Sequence, residues 1–131
     1  MLKADLHTHS FCSDGTSSPE EVAYGAWKAG VKIFALADHD TTEGVLRAKA
    51  ESEKHGMDWV SAVEISTREH DHLHFLGYNI DIHNAEFQAF LKQNRENRVL
   101  RIKKIIKQIA DSGVDLTEED VFSLAGNTVS R

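Results

Sequence analysis

The hydrophobic pattern of the chain changes period several times, and the changes mark out its elements. Residues 31–37, "VKIFALA", form a nearly continuous apolar run ending at Asp38, the pattern of a strand buried in a parallel sheet. Upstream, "SPEEVAYGAWKAG" has a helical period that places Val22, Ala23, Ala26 and Trp27 on one face. Ser18 is positioned to cap that helix, Pro19 takes its first turn, Glu21 completes a capping box, and Gly30 supplies a left-handed stop. Residues 2–7 are a short, half-apolar run that reads as a weak first strand. The alternation then repeats, with a helix over 42–55 stopped by Gly56 and a strand over 59–66 ("WVSAVEIS"). A further strand over 72–80 ("HLHFLGYNI") is reached through the polar loop 67–71. Such β-α-β-α-β order predicts an α/β fold of parallel strands alternating with covering helices. From about Asn84, a stripe running through Phe87, Phe90, Leu91, Ile102, Ile105, Ile106 and Ile109 predicts one long helix with a bend near 94–97. It stops at Gly113, and a short helix over 116–126, capped by Thr117 and stopped by Gly126, follows.

Composition narrows the class. The 131 residues suffice for one core, and 40% hydrophobic and 27% charged residues are ordinary for a globular domain. No repeat, low-complexity segment or linker divides them. A net charge of −6 argues against general polyanion binding, so no stable DNA complex is expected. The single cysteine, Cys12, excludes an intramolecular disulfide and suits a reducing cytosol. With no signal-peptide pattern in "MLKADLH" and no apolar run of bilayer length, the expectation is a cytoplasmic chain without membrane contact. The oddity is eight histidines, of which His7, His9, His39, His70, His72 and His74 lie near predicted strand ends.

Those histidines have company. His7 and His9 stand two apart, so strand periodicity points both imidazoles to one side. Asp14 follows in "SDGT", a turn able to fold a carboxylate back toward the pair. His39 comes directly after the apolar run 31–37. Glu64 lies toward the end of the next run, where a buried charge is costly unless paired or metal-bound. His74 falls within the following strand, with His72 on the same face. In parallel α/β folds the carboxyl ends of the strands share one rim, so four segments each bring an imidazole or carboxylate to that rim or near it. Imidazoles and carboxylates without thiolate suit Mn²⁺, Fe²⁺ or Zn²⁺ better than Mg²⁺ or Ca²⁺. Six ligands exceed what one ion with an open position needs, which points to two or three ions with Glu64 as bridge, an arrangement suited to phosphoryl chemistry. Asp38 and Asp40 flank His39 and are read either as orienting partners of an imidazole or as turn-stabilising groups. The basic run from Lys92 to Lys107 reads as a solvated helix face or as a track for an RNA backbone. Cys12 reads as a loop residue and not as a nucleophile, while His55, His70 and His83 read as solvated.

The stretches "DLHTHSFCSDGTSSPEEV", "AGVKIFALADHDTTEG", "VEIS" and "HFLGY" resemble, in order and spacing, the opening motifs of the polymerase and histidinol phosphatase (PHP) family. The likeness is strongest to its stand-alone branch of nucleoside 3′,5′-bisphosphate phosphatases and 5′→3′ exoribonucleases. That resemblance implies the N-terminal part of a distorted (β/α)7 TIM-like barrel holding a trinuclear centre, commonly of manganese. It implies His7 and His9 on a first ion, Asp14 and His39 on a second, Glu64 bridging the first and third, and His74 on the third. It further implies a phosphoesterase acting on a small phosphorylated nucleotide or a short RNA end, with Arg131 near the substrate phosphate. Family members carry a further histidine beyond an arginine like Arg131 and a later Asp-x-His motif, neither of which lies within these residues. The expectation is therefore that residues 1–131 correspond to the N-terminal portion of a longer PHP domain. Two other readings remain open: an amidohydrolase acting at carbon centres with similar ligands, and a non-catalytic metal-binding PHP module.

Overall fold

The computed structural model describes residues 1–67 and 73–124; His70, His72, Gly126 and Arg131 lie outside the described residues. Three short strands, β1 (Ala4–Asp5), β2 (Ile33–Phe34) and β3 (Asp58–Trp59), pair in parallel in the order β1-β2-β3. The ladder runs well past these limits. Ala37 donates its amide to the Thr8 carbonyl at 2.8 Å, and Val60 donates to Phe34 at 3.0 Å. Farther along, Glu64 donates to Asp38 at 3.2 Å, Asp40 donates to Glu64 at 2.9 Å, and His39 forms a parallel bridge with Glu64. Residues 4–8, 31–40 and 58–64 thus lie side by side with their carboxyl ends together.

Helix α1 (Pro19–Lys28) begins at the expected capping box: the Glu21 amide donates to Ser18 Oγ at 3.2 Å and the Ser18 amide donates to Glu21 Oε2 at 2.8 Å. The chain leaves α1 through Gly30 at φ 81°. Helix α2 (Val45–Lys54) is shorter than its sequence pattern and leaves through Gly56 at φ 65°. Ala23, Ala26 and Ala48 pack with Val31, Phe34, Leu36 and Met57 into the main core. Burying Phe34 or Leu36 contributes about 1.5–3 kcal/mol each. Trp27 does not join them. Small alanines make the close contacts, and the indole stays on the surface, stacked on His55 with ring centroids 4.2 Å apart.

The parallel order breaks at β5 (His74–Tyr78), where the sequence pattern predicted a further parallel strand. β4 (Ala62–Ser66) pairs antiparallel with β5, with Ser66 opposite His74 and Ala62 opposite Tyr78. The physical reason lies in the connection: residues 67–73 are too few for a parallel crossover, which needs a dozen or more. Helix α3 (Ala85–Asp111) is a single element of 27 residues, capped by Asn84 accepting from the Phe87 amide. Its buried stripe is Leu91, Asn94, Arg98, Ile102 and Ile106. α4 (Glu118–Phe122) starts at a Thr117–Asp120 capping box and packs Val121 and Phe122 against Ile102 and Ile106. The described residues form no closed barrel, and none of their helices is long and apolar enough to cross a membrane.

Candidate metal centre

At the carboxyl end of the parallel ladder, side chains from four segments meet around Glu64. His7 and His9 leave the end of the first strand on the same side, and their Nε2 atoms lie 2.9 and 3.1 Å from Glu64 Oε2. His39 follows the second strand, with Nδ1 3.6 Å from the same oxygen. The other carboxylate oxygen, Oε1, lies 2.7 Å from His74 Nδ1. Asp14 faces His9 Nδ1 through Oδ1 at 3.4 Å and His39 Nε2 through Oδ2 at 3.3 Å. Three groups of potential ligand atoms result: His7–His9–Glu64, His9–Asp14–His39 and His39–Glu64–His74, each with its atoms within 4.8 Å of one another.

Local sequence explains each placement. The turn after His9 folds because the Ser13 and Gly15 amides both donate to the Ser10 carbonyl, at 3.0 and 2.9 Å. Gly15 has no room for a side chain: a Cβ there would lie 2.6 Å from the His9 carbonyl oxygen. Asp38, buried behind the turn, accepts from the Ser10 amide, Ser10 Oγ and Ser13 Oγ at 2.7, 2.7 and 2.6 Å. His74 reaches the cluster although it stands at the start of its strand, because β5 runs antiparallel and its first residue sits beside the end of β4.

Burial and charge set the protonation states. Burial pushes the Glu64 carboxyl up, but hydrogen bonding with His7 and His74 and the neighbouring His39 outweigh it and hold the group below the usual glutamate range. For His39 burial dominates and pushes the imidazole down, against the opposing pull of Glu64 and Asp14. An ionised carboxylate and a neutral imidazole are the forms that ligate metal. His39 Nδ1 is moreover buried without a hydrogen-bond partner among the described residues. Such orphaned nitrogens are costly, and a cation among three donor groups would satisfy it. The residues fit a divalent metal.

Asp38 and Asp40 hold no imidazole directly among the described residues. Asp38 secures the turn 10–13 and reaches the cluster through Ser13 Oγ, 3.4 Å from His9 Nδ1, and through its carbonyl, which accepts the Glu64 amide at 3.2 Å. Asp40 turns toward α3, accepting from Asn94 Nδ2 at 3.1 Å and Arg98 Nη2 at 3.3 Å. Arg95 also donates to the Asp40 carbonyl. The basic run is therefore not wholly a solvated face: Arg98 is buried against Asp40 and Arg95 is half-buried. The signal for this was the position of Asn94 and Arg98 in register with Leu91 and Ile102. Cys12 is buried, and burial pushes its thiol up, away from the thiolate a nucleophile needs.

The α/β ladder gathers at its strand ends imidazoles and carboxylates that could hold divalent metal. The PHP domain profile matches residues 5–118, and the chain belongs to that family. It is 34% identical over 130 residues to a 5′-3′ exoribonuclease of Haemophilus influenzae, covering 98% of this chain and 47% of the relative. It is also 34% identical over 115 residues to a 3′,5′-nucleoside bisphosphate phosphatase of Chromobacterium violaceum, covering 87% of this chain and 40% of that one. An amidohydrolase structure from Chromobacterium violaceum, with bound sulfate and no metal, superposes with a TM-score of 0.87 at 30% identity, over 99% of this chain and 47% of that one. The chain spans about half the length of these relatives.

Proposed function

We propose that the chain provides part of the active site of a metal-dependent phosphoesterase that hydrolyses phosphate esters of small nucleotides or short RNA ends. The observation that carries this reading is the convergence of His7, His9, Asp14, His39, Glu64 and His74, with both oxygens of Glu64 engaged by different imidazoles. When bound, divalent ions supply neutralisation of phosphate charge and activation of water. Glu64 is arranged to bridge two positions, Oε2 toward His7 and His9 and Oε1 toward His74. Asp14 links His9 and His39 in the same way. The three ligand groups support a multinuclear centre of two or three ions, and the thiolate-free donor set favours manganese, with iron or zinc as alternatives. His7, whose side chain is 46% exposed, marks the open side from which a phosphate would approach, whereas His39 closes the inner side at 9%. The parallel ladder of β1–β3 and the β4–β5 hairpin are together consistent with one sector of a distorted (β/α)7 barrel, and the single buried Cys12 fits a cytoplasmic setting. Arg131 stays a candidate phosphate contact on family resemblance alone.

Elemental analysis of the purified chain tests the proposal, together with phosphate release from a 3′,5′-bisphosphate nucleotide in added Mn²⁺. The expected result is bound metal and turnover, both lost in the double variant His7→Ala, Glu64→Ala. Metal content and rate unchanged by that double substitution would sink it. A second reading, hydrolysis of an amide or lactone, is favoured by the likeness to the amidohydrolase structure. Assaying a phosphate ester and an amide on one preparation separates the two.

A further inference from the structure

Asp40 is fully buried and adjoins His39, yet among the described residues its carboxylate bonds to none of the side chains of the cluster and turns instead to Ser66, Asn94 and Arg98. It is also one of two non-glycine residues with positive φ among the described residues, at 51°. An aspartate tolerates this conformation better than most residues do, but a buried one held there requires support from its surroundings. That support comes from three directions. The Asp40 amide donates to the Glu64 carbonyl at 2.9 Å, and Oδ1 accepts from the Ser66 amide, also at 2.9 Å. Oδ2 accepts from Ser66 Oγ at 2.6 Å. From the opposite side Asn94, Arg98 and the Arg95 guanidinium close on the carboxylate and on the Asp40 carbonyl.

We infer that the buried Asp40–Arg98 pair, with Asn94 and Ser66, is a positioning strut through which α3 sets the spacing of His39, Glu64 and His74. This rests on the metal-centre reading above. Each connection leads to a ligand by a short, stiff path. His39 precedes Asp40 directly. Glu64 lies two residues before Ser66 on β4, on the same strand face, and its carbonyl accepts the Asp40 amide. His74 stands opposite Ser66 in the β4–β5 register. One carboxylate therefore ties the parallel ladder, the hairpin and the long helix together beside the point where their ligands meet. A planar guanidinium suits the task, because its fixed fork of donors defines direction as well as charge. Neither Asp40 nor Arg98 needs to touch a metal ion or substrate. Their effect travels through backbone position, as for outer partners of metal ligands, whose loss typically costs about 10–100-fold in affinity.

The test is Mn²⁺ affinity of the whole chain, measured by electron paramagnetic resonance, with the visible spectrum of bound Co²⁺ as a reporter of coordination geometry. Asp40→Asn keeps the shape but faces an amide to the donors of Arg98 and Ser66. Arg98→Lys keeps the charge and loses the fork, and it carries the test should Asp40→Asn not fold. The expected result is a fall of about 10–100-fold in Mn²⁺ affinity and an altered Co²⁺ spectrum in both variants. Ile106→Ala, in the α3–α4 cluster, serves as a control for loss of stability in the same helix. It should leave both readouts unchanged. Wild-type affinity and spectrum in folded Asp40→Asn or Arg98→Lys would overturn the inference, as would an equal fall in Ile106→Ala. Absence of Mn²⁺ binding in the unsubstituted chain would instead overturn the metal-centre reading, and this inference with it.

Discussion

The two ladders of the molecule bring candidate metal ligands to one place by opposite routes. In the parallel ladder, His7, His9 and His39 follow the carboxyl ends of their strands, and α1 and α2 cover the sheet over a core of Ala23, Phe34, Leu36 and Ala48. In the hairpin, β4 offers Glu64 near its carboxyl end, while β5 offers His74 as its first residue. Direction of the chain is thus immaterial to the site; what counts is which end of the sheet a residue occupies. Cover differs as sharply. Phe34 and Leu36 are wholly buried, whereas Leu73, Phe75, Leu76 and Tyr78 of the hairpin are all exposed. The hairpin is tied to the parallel ladder through Glu64, Asp40 and Ser66, and through Tyr78 Oη donating to the Leu6 carbonyl at 3.1 Å.

Removing the group that joins the two ladders gives the largest expected effect. Glu64→Gln replaces the charge that His7, His9 and His74 all face with an amide whose NH₂ points at imidazole nitrogens. Mn²⁺ affinity should fall by more than about 100-fold, beyond the usual cost of losing an outer-shell partner. Titration calorimetry checks this, and an affinity within tenfold of the original would mean that the two ladders do not share a centre.

The difference in cover makes a second prediction. Leu36→Ala in the parallel ladder should destabilise the chain by about 2–5 kcal/mol, read from urea denaturation, because the helices above leave little room for collapse. A cost below 1 kcal/mol would show the covered ladder to be as loosely packed as the hairpin. The turn between these extremes is probed by Gly15→Ala. Its methyl would meet the His9 carbonyl oxygen at 2.6 Å, with backbone rather than a flexible side chain on the other side. The expected loss is about 1–3 kcal/mol, accompanied by weaker Mn²⁺ binding since Asp14 and His9 flank the strained segment.

How far the sequence could carry these conclusions depended on distance along the chain. The candidate ligands that the structure brings together could be picked out because each needs only a local pattern: two histidines on one strand face, an aspartate in a tight turn, a charge within an apolar run. The first helix was legible down to its capping box for the same reason. The direction of β5 was recoverable in principle, since residues 67–73 cannot make a parallel crossover, but strand periodicity alone is blind to direction. The partners of Asp40, which the sequence offered only as an orienting or turn-stabilising group, were out of reach. Its partners Asn94 and Arg98 lie 54 and 58 residues away, and only the fold brings them together. Their place in the apolar stripe of α3 hinted at burial without saying against what. Trp27 shows the converse limit: the period placed it on the inward face, but Ala23, Ala26 and Ala48 make the core contacts and the indole lies outside, stacked on His55.

The smallest expected effect sharpens the comparison most directly. Phe75 on β5 pairs with Ile65, on the strand face opposite Glu64 and His74, and is 58% exposed. Replacing it with alanine removes a larger side chain than Leu36→Ala does, so volume alone predicts a larger cost. Burial predicts the reverse. With most of the ring already in water, the loss should stay within about 1 kcal/mol, the span of strand preference at a half-open position. Mn²⁺ affinity should not change, because the ring points away from the ligand face. Urea denaturation of Phe75→Ala beside Leu36→Ala checks the ranking in one experiment. A larger loss in Phe75→Ala would mean that the hairpin face is covered in solution, and that the contrast in packing between the ladders belongs to the isolated fold alone.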